Sequence, residues 1–205
     1  MIRCRNGFAG WVRWAAPALA SGVVSAVLVA APAVPVERVA GPGPERYPEK
    51  AAVLFELTRF VEWPPADPAA PDSPFVVGVL GDEPFSEEIR RAMAGRKVRG
   101  RSIRTRSFRN LDEFDPCSIL VVGRDKARLL PVVLDFLAGT KGVLTVGETA
   151  DFAELGGGVR LVELPDRIGF EINRDAARHA ELRLSAQLLR LAERLLPEPD
   201  GRTRP

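Results

Sequence analysis

The stretch CSILVVG at residues 117–123 decides the fold, because an uninterrupted apolar run that ends in glycine suits a strand covered on both faces. Two similar runs flank it in the chain, FVVGVLG at residues 75–81 and GVLTVG at residues 142–147. A helical pattern follows each of the three runs. This repetition predicts βα units and a mostly parallel sheet with residues 117–123 at its centre.

The C-terminal third predicts how the sheet ends. Residues 159–164 and 168–172 are strand-like and are joined by Pro-Asp-Arg, which predicts an antiparallel hairpin. Asn173 then suits the N-cap of a long final helix. The expected fold is a single α/β domain, Rossmann-like or flavodoxin-like, with five to six mostly parallel strands flanked by helices. The hairpin and the long final helix complete it.

The first 33 residues have the pattern of a secretory signal peptide. A basic, acid-free start precedes an apolar run at residues 18–30, and Ala31-Pro32-Ala33 offers an A-x-A cleavage site. The alternative is an uncleaved anchor, but the run is shorter than the ~20 apolar residues that cross a bilayer. We therefore expect the chain to be exported and the signal peptide to be removed.

Charge and composition divide the chain further. The first 33 residues contain three of the 29 basic residues and none of the 27 acidic ones. The remaining chain is therefore nearly neutral, which argues against a general nucleic-acid-binding role. The expected organisation is a signal peptide at 1–33, a flexible Pro- and Gly-rich leader at 34–48, an α/β domain at 49–196 and a disordered tail at 197–205.

The sequence contains no recognisable catalytic or cofactor-binding pattern. The single histidine, His179, has no second histidine or cysteine at metal-ligand spacing. Glu148, Asp151 and Glu171 are available carboxylates, but their spacing fixes no acid–base pair. Cys117 fits a small core residue, with pairing to another subunit or a nucleophilic role as alternatives. We expect a non-enzymatic protein without metal or cofactor.

The first predicted helix, at residues 49–63, carries two features of interest. Phe55, Arg59 and Trp63 lie opposite its apolar side, which makes them a candidate interface for a partner or a second copy of the chain. The alternative is that these aromatic side chains only pack against neighbouring loops. Lys50 projects from the apolar side. Its ammonium group must therefore reach water or meet a carboxylate.

The predicted final helix has a second apolar face. The core-facing side is opposed by Leu182, Ala186, Leu189 and Leu196, which predicts contact with a second subunit or another protein.

A basic segment at residues 96–109 has seven cations and no acid, and its alternation predicts an edge strand that carries Arg101, Arg104 and Arg106. Positive charge at an edge prevents association with other sheets, which explains the segment without a ligand. The alternative is an acidic partner or a phosphate-bearing ligand.

The carboxyl ends of the predicted strands form a candidate ligand crevice. Its residues follow the three buried runs and are Gly81, Asp82, Gly123, Arg124, Gly147 and Thr149. This crevice makes a periplasmic small-ligand-binding protein the main alternative to the regulatory function described below. An exported hydrolase is the weakest of the three functions considered.

Seven stretches, taken in order, resemble the YfiR family. They are KAAVLFELTRFVEWP, VVGVLGDEPF, the GR at residues 100–101, CSILVVG, VLTVGE, FAELGG and FEINRDAARHAELRLSAQLLRLA. The resemblance covers about residues 49–196. The chain differs from the family pattern at Glu181, where glycine is usual. It also lacks the additional cysteines of some members, so disulfide control is not carried over.

The resemblance implies a periplasmic, dimeric α/β repressor that restrains an inner-membrane diguanylate cyclase, YfiN, through its periplasmic region. An outer-membrane lipoprotein can sequester that repressor, and the signal concerned is cyclic-di-GMP. Other family members lie beside histidine kinases, so the regulated protein is left open. The function expected from the sequence is a non-enzymatic regulator of an inner-membrane signalling protein.

Overall fold

The computed structural model describes residues 46–64, 73–81 and 83–197. The predicted signal peptide, most of the predicted Pro- and Gly-rich leader, residues 65–72, Asp82 and residues 198–205 lie outside the described part. The helices are α1 (Tyr47–Phe60), α2 (Glu83–Met93), α3 (Leu130–Phe136), α4 (Arg174–His179) and α5 (Ala186–Leu191). The strands are β1 (Val61–Glu62), β2 (Phe75–Leu80), β3 (Lys97–Val98), β4 (Arg101–Phe108), β5 (Ile119–Val122), β6 (Leu144–Gly147), β7 (Val159–Glu163), β8 (Ile168–Asn173), β9 (Arg183–Leu184) and β10 (Arg194–Leu196).

One mixed, eight-stranded sheet has the order β10-β8-β7-β6-β5-β2-β4-β3. Strand β5 lies between β2 and β6 and is parallel to both, and its four residues are all buried. The buried run at residues 117–123 therefore supplies an interior strand, as predicted. The predicted antiparallel hairpin is present as β7 and β8.

The expectation of five to six mostly parallel strands is wrong, because the sheet is larger and mixed. Strand β3 pairs antiparallel with β4, and β10 extends the sheet beyond the hairpin. Strands of two or three residues are too short to give a period in the sequence. The predicted edge strand is β4, and β3 covers only Arg101 and Ser102 of it.

The prediction of a long final helix is also wrong. Helix α4 ends after His179, and Glu181 adopts a φ of 56°, a left-handed conformation that a right-handed helix does not contain. The chain then forms β9, which pairs with β1 in a separate two-stranded sheet. Helix α5 begins anew, with the Ser185 hydroxyl accepting a hydrogen bond from the Leu188 amide.

The large sheet separates two apolar cores. The larger core lies on the face that we call the closed face, where α1, α2 and α5 contribute Leu54, Phe85 and Leu188. The smaller core lies on the other face, called the open face, against α3, which contributes Leu130 and Val133. The helix starts at Leu130 with Pro131 in its first turn, so the proline causes no kink.

Cys117 belongs to the smaller core and is 8% exposed. Burial raises the pKa of its thiol to about 12. A thiol in this state is protonated at neutral pH, which agrees with a small core residue and not with a nucleophile.

Among the described residues, no helix is long and apolar enough to cross a membrane.

Candidate functional site

Four charged side chains meet at the carboxyl edge of the sheet, and we call them the Lys50 cluster. Arg124 follows β5, Glu148 follows β6 and Glu163 ends β7; these three strands are parallel, so their ends lie at one edge. Lys50, from the first turn of α1, reaches the same place. The cluster therefore joins the start of the domain to three strand ends.

The centre of the Lys50 cluster is buried, and the charges of the cluster are paired. Lys50 Nζ lies 2.6 Å from Glu163 Oε1 and 3.1 Å from Glu148 Oε2. Arg124 Nε donates to Glu148 Oε2 at 2.6 Å. The side chains of Lys50 and Glu148 are only 1% and 2% exposed. Buried charges persist only with such partners, and the carboxylate expected for Lys50 is supplied by two glutamates.

A groove of about 550 Å³ opens at this edge of the sheet. It is lined by Tyr47, Gly81, Phe108, Arg109, Arg124, Asp125 and Lys126. Gly81 has a φ of 76°, and a Cβ at this position would lie 2.4 Å from Asp125 Oδ1. Glycine therefore permits both the turn after β2 and the close approach of Asp125.

The structure brings part of the predicted ligand crevice into this groove. Gly81 and Arg124 line it, and Gly123 is next to Arg124 and bonded through its amide to the Leu80 carbonyl. Gly147 lies instead against the Phe152 ring, where a Cβ would be 2.3 Å from the ring carbons. The Thr149 carbonyl accepts the Phe152 amide in the same turn. Asp82 lies outside the described residues.

The helix predicted at residues 49–63 ends at Phe60, so Trp63 lies beyond α1 and the candidate interface is not one helical face. Its residues are largely engaged within the chain. The Arg96 guanidinium lies 4.3 Å from the centre of the half-buried Phe55 ring. Trp63 donates its indole N–H to the Ser118 carbonyl and contacts Phe75 edge to face. Arg59 is exposed and pairs with Glu56, one turn earlier on the same helix. Partner binding by this group stays a prediction.

The second candidate interface does not form a helical face, because its residues belong to different elements. Leu182 precedes β9 and is buried in the larger core at 5% exposure. Ala186 is exposed at the start of α5, while Leu189 and Leu196 are half-buried. Leu182 is thus a core residue, and self-association through the other three stays a prediction.

The three arginines of β4 differ in their surroundings. Arg101 donates to the carbonyls of Ser73 and Pro74 at 2.7 and 2.9 Å, so it fixes the segment before β2. Arg106 pairs with Asp115. Arg104 is exposed. Arg106 and Arg104 lie two and four residues before the buried Phe108, so they face the same side of the sheet as Phe108, which is the open face with α3. Arg101 lies on the opposite, closed face.

The carboxylates considered for acid–base chemistry have separate structural partners. Glu148 is paired with Lys50 and Arg124, whereas Glu171 on β8 is paired with Arg160 at 2.9 Å. Asp151 and His179 are exposed.

An apolar surface that the sequence analysis missed lies on α3 and the turn before it. Leu129, Val132 and Phe136 are 39%, 56% and 50% exposed, and they follow one another at helical spacing. We call these three residues the α3 patch. Phe136 also contacts Phe114 edge to face. The signal was present, because Val132 and Phe136 are apolar residues outside the stripe that faces the core.

A family model described as DUF4154, YfiR/HmsC-like, matches residues 47–193. This range contains every helix of the described chain and all strands except β10. No curated protein matches the chain.

Proposed function

The chain belongs to the YfiR/HmsC-like family, and from this premise we propose that it is a non-enzymatic periplasmic regulator. It binds the periplasmic region of an inner-membrane signalling protein, either a diguanylate cyclase or a sensor kinase, and restrains its output. The observation that carries this proposal is the family match over almost the whole described chain. The N-terminal pattern at residues 1–33 supports export through a cleaved signal peptide.

We assign the partner contact to the α3 patch. Apolar side chains that are half exposed and adjacent mark protein-binding surfaces more often than isolated ones do. The same side of the sheet carries Arg104 and Arg106. The partner surface that fits is an apolar centre with acidic residues beside it, because opposite charges at the rim guide association.

Two further partners follow from family membership. A second copy of the chain and an outer-membrane lipoprotein are proposed as additional partners, the latter as a protein that removes the regulator from its target. The exposed and half-buried residues Ala186, Leu189 and Leu196 are available for the second copy.

A site-specific photo-crosslinker in living cells tests the regulatory role. With the crosslinking residue at Val132 of the full-length chain, we expect a product that contains an inner-membrane protein with a periplasmic region and a cytoplasmic cyclase or kinase domain. Leu191 is the matched control, because it is an equally exposed apolar residue (57%) on α5. It should give no such product.

Two results contradict the proposal. One is a Val132 product that contains no membrane signalling protein. The other is the same signalling protein captured equally from Leu191, since that outcome indicates nonspecific contact. A chain that lacks residues 1–33 should give no product, because it would not reach the periplasm.

A further inference from the structure

We propose that the groove beside the Lys50 cluster binds a small anion with a carboxylate or phosphate group, and that Arg124, Arg109 and Lys126 bind that group. The groove lies at the carboxyl ends of parallel strands, where α/β sheets commonly bind ligands. Its volume of about 550 Å³ suits a small molecule, since such sites usually measure roughly 300–1,000 Å³. The site does not depend on the identity of the protein partner.

Arg124 is positioned in advance for this role. Its Nε donates to Glu148 Oε2 at 2.6 Å, and the Glu148 side chain is 2% exposed, so one side of the guanidinium is fixed by a buried carboxylate. The guanidinium has five N–H donors in a rigid plane, and its side chain is 39% exposed in the wall of the groove. A fixed donor loses little freedom when an anion binds.

The charge of the groove favours an anion. Its lining contains the cations Arg109, Arg124 and Lys126 and a single acid, Asp125. Cations that converge in a concave surface with low-dielectric walls raise the local concentration of anions. Arg109 is exposed at the end of β4, while Lys126 is partly buried and lies 3.6 Å from Asp125.

Glu148, which holds Arg124 in place, has one acceptor atom that the described residues do not satisfy. Glu148 Oε1 is buried and has no hydrogen-bond partner among the described residues. Such an atom normally has a partner, so a water molecule would satisfy it. Tyr47 is fixed by stacking on Phe85 and by Lys50, 5.0 Å from its ring centre, and forms a rigid wall.

The first test uses the purified mature chain with inorganic phosphate and with citrate, each compared with sodium chloride of equal ionic strength. We expect saturable binding of at least one probe by calorimetry, and amide shifts at Gly81 and Lys126 in NMR spectra. Binding of phosphate alone assigns a phosphate ligand, and binding of citrate alone assigns a carboxylate ligand. If neither probe binds in a saturable way, the proposal is wrong.

The second test locates the binding site. The variant Arg109→Gln with Lys126→Gln should bind the successful probe at least about tenfold more weakly, because it loses two charge-assisted contacts. The matched control is Lys97→Gln with Arg190→Gln, which removes the same charge from exposed residues of β3 and α5. Its affinity should stay within about twofold of the original. Equal weakening in both variants would show a general charge effect and overturn the site.

Discussion

The two faces of the sheet differ in how completely they are covered. On the closed face, α1, α2 and α5 bury a core that extends from β4 to β8. On the open face, the seven-residue α3 covers a smaller core and leaves the α3 patch exposed. From this difference we expect side chains of the closed face and its edge to determine stability, and we propose that the exposed apolar residues of the open face contact a partner. Substitutions on the two faces should therefore separate stability from binding.

The largest loss of stability is expected from Leu182→Glu. This substitution places a carboxylate in the core of the closed face, and we expect a loss of more than about 4 kcal/mol or failure to fold. Leu191→Glu, at an exposed apolar position, should change the free energy of unfolding by less than about 0.5 kcal/mol. Urea denaturation followed by circular dichroism measures both. A folded Leu182→Glu protein of normal stability would show that this face is not closed.

The next largest effect is expected from Lys50→Ala. Removal of the ammonium group leaves Glu148 and Glu163 without their shared cation, and breaking a buried ion pair in this way costs about 3–5 kcal/mol. The control is Lys97→Ala on β3, where the side chain is exposed. Urea denaturation should show a loss for Lys50→Ala alone. Equal stability of the two variants would contradict a structural role for the cluster.

A smaller loss is expected from Arg101→Ser on the closed side of β4. The variant loses hydrogen bonds to the Ser73 and Pro74 carbonyls and contact with the Phe75 ring, which should cost about 1–3 kcal/mol. Thermal unfolding measures the difference. If Arg101→Ser were as stable as the original chain, the segment before β2 would not depend on this arginine.

The smallest effect is expected from Arg104→Ser, three residues later on the open side. Its side chain is exposed, so the free energy of unfolding should change by less than about 0.5 kcal/mol. The sequence pattern predicts Arg101 and Arg104 to be equivalent basic residues of one edge strand. Thermal unfolding of both variants shows whether their losses of stability differ. A larger loss in Arg104→Ser than in Arg101→Ser would reverse the assignment of the two faces.

Much of the fold could be predicted because its signals are local. The apolar run at residues 117–123 gives an interior strand, and two strand-like runs with a short turn give the β7–β8 hairpin. The family could be identified from short stretches in the right order. The long final helix was predicted wrongly because apolar spacing continues through residues 180–185 although the backbone turns at Glu181. The resemblance implied a glycine at this position, and glycine is the residue that most readily adopts such a turn.

The site was harder to predict because its contacts are distant in sequence. The need of Lys50 for a carboxylate followed from its position on the apolar side of a helix, but Glu148 and Glu163 are about a hundred residues away. Only the parallel arrangement of β5, β6 and β7 brings Arg124 and both glutamates to one edge. Periodicity places Val132 and Phe136 outside the core-facing stripe, but it does not show how much of the open face other elements cover, and that coverage determines their exposure.

We propose above all that the open face binds the periplasmic region of a membrane signalling protein. Calorimetric titration of the mature chain with the purified periplasmic region of the crosslinked protein tests it most directly. Val132→Glu with Phe136→Glu should weaken binding at least about a hundredfold while the free energy of unfolding stays within about 1 kcal/mol of the original. Leu191→Glu should bind normally. Normal affinity in the double variant would contradict the account, and so would an equal loss of affinity in Leu191→Glu.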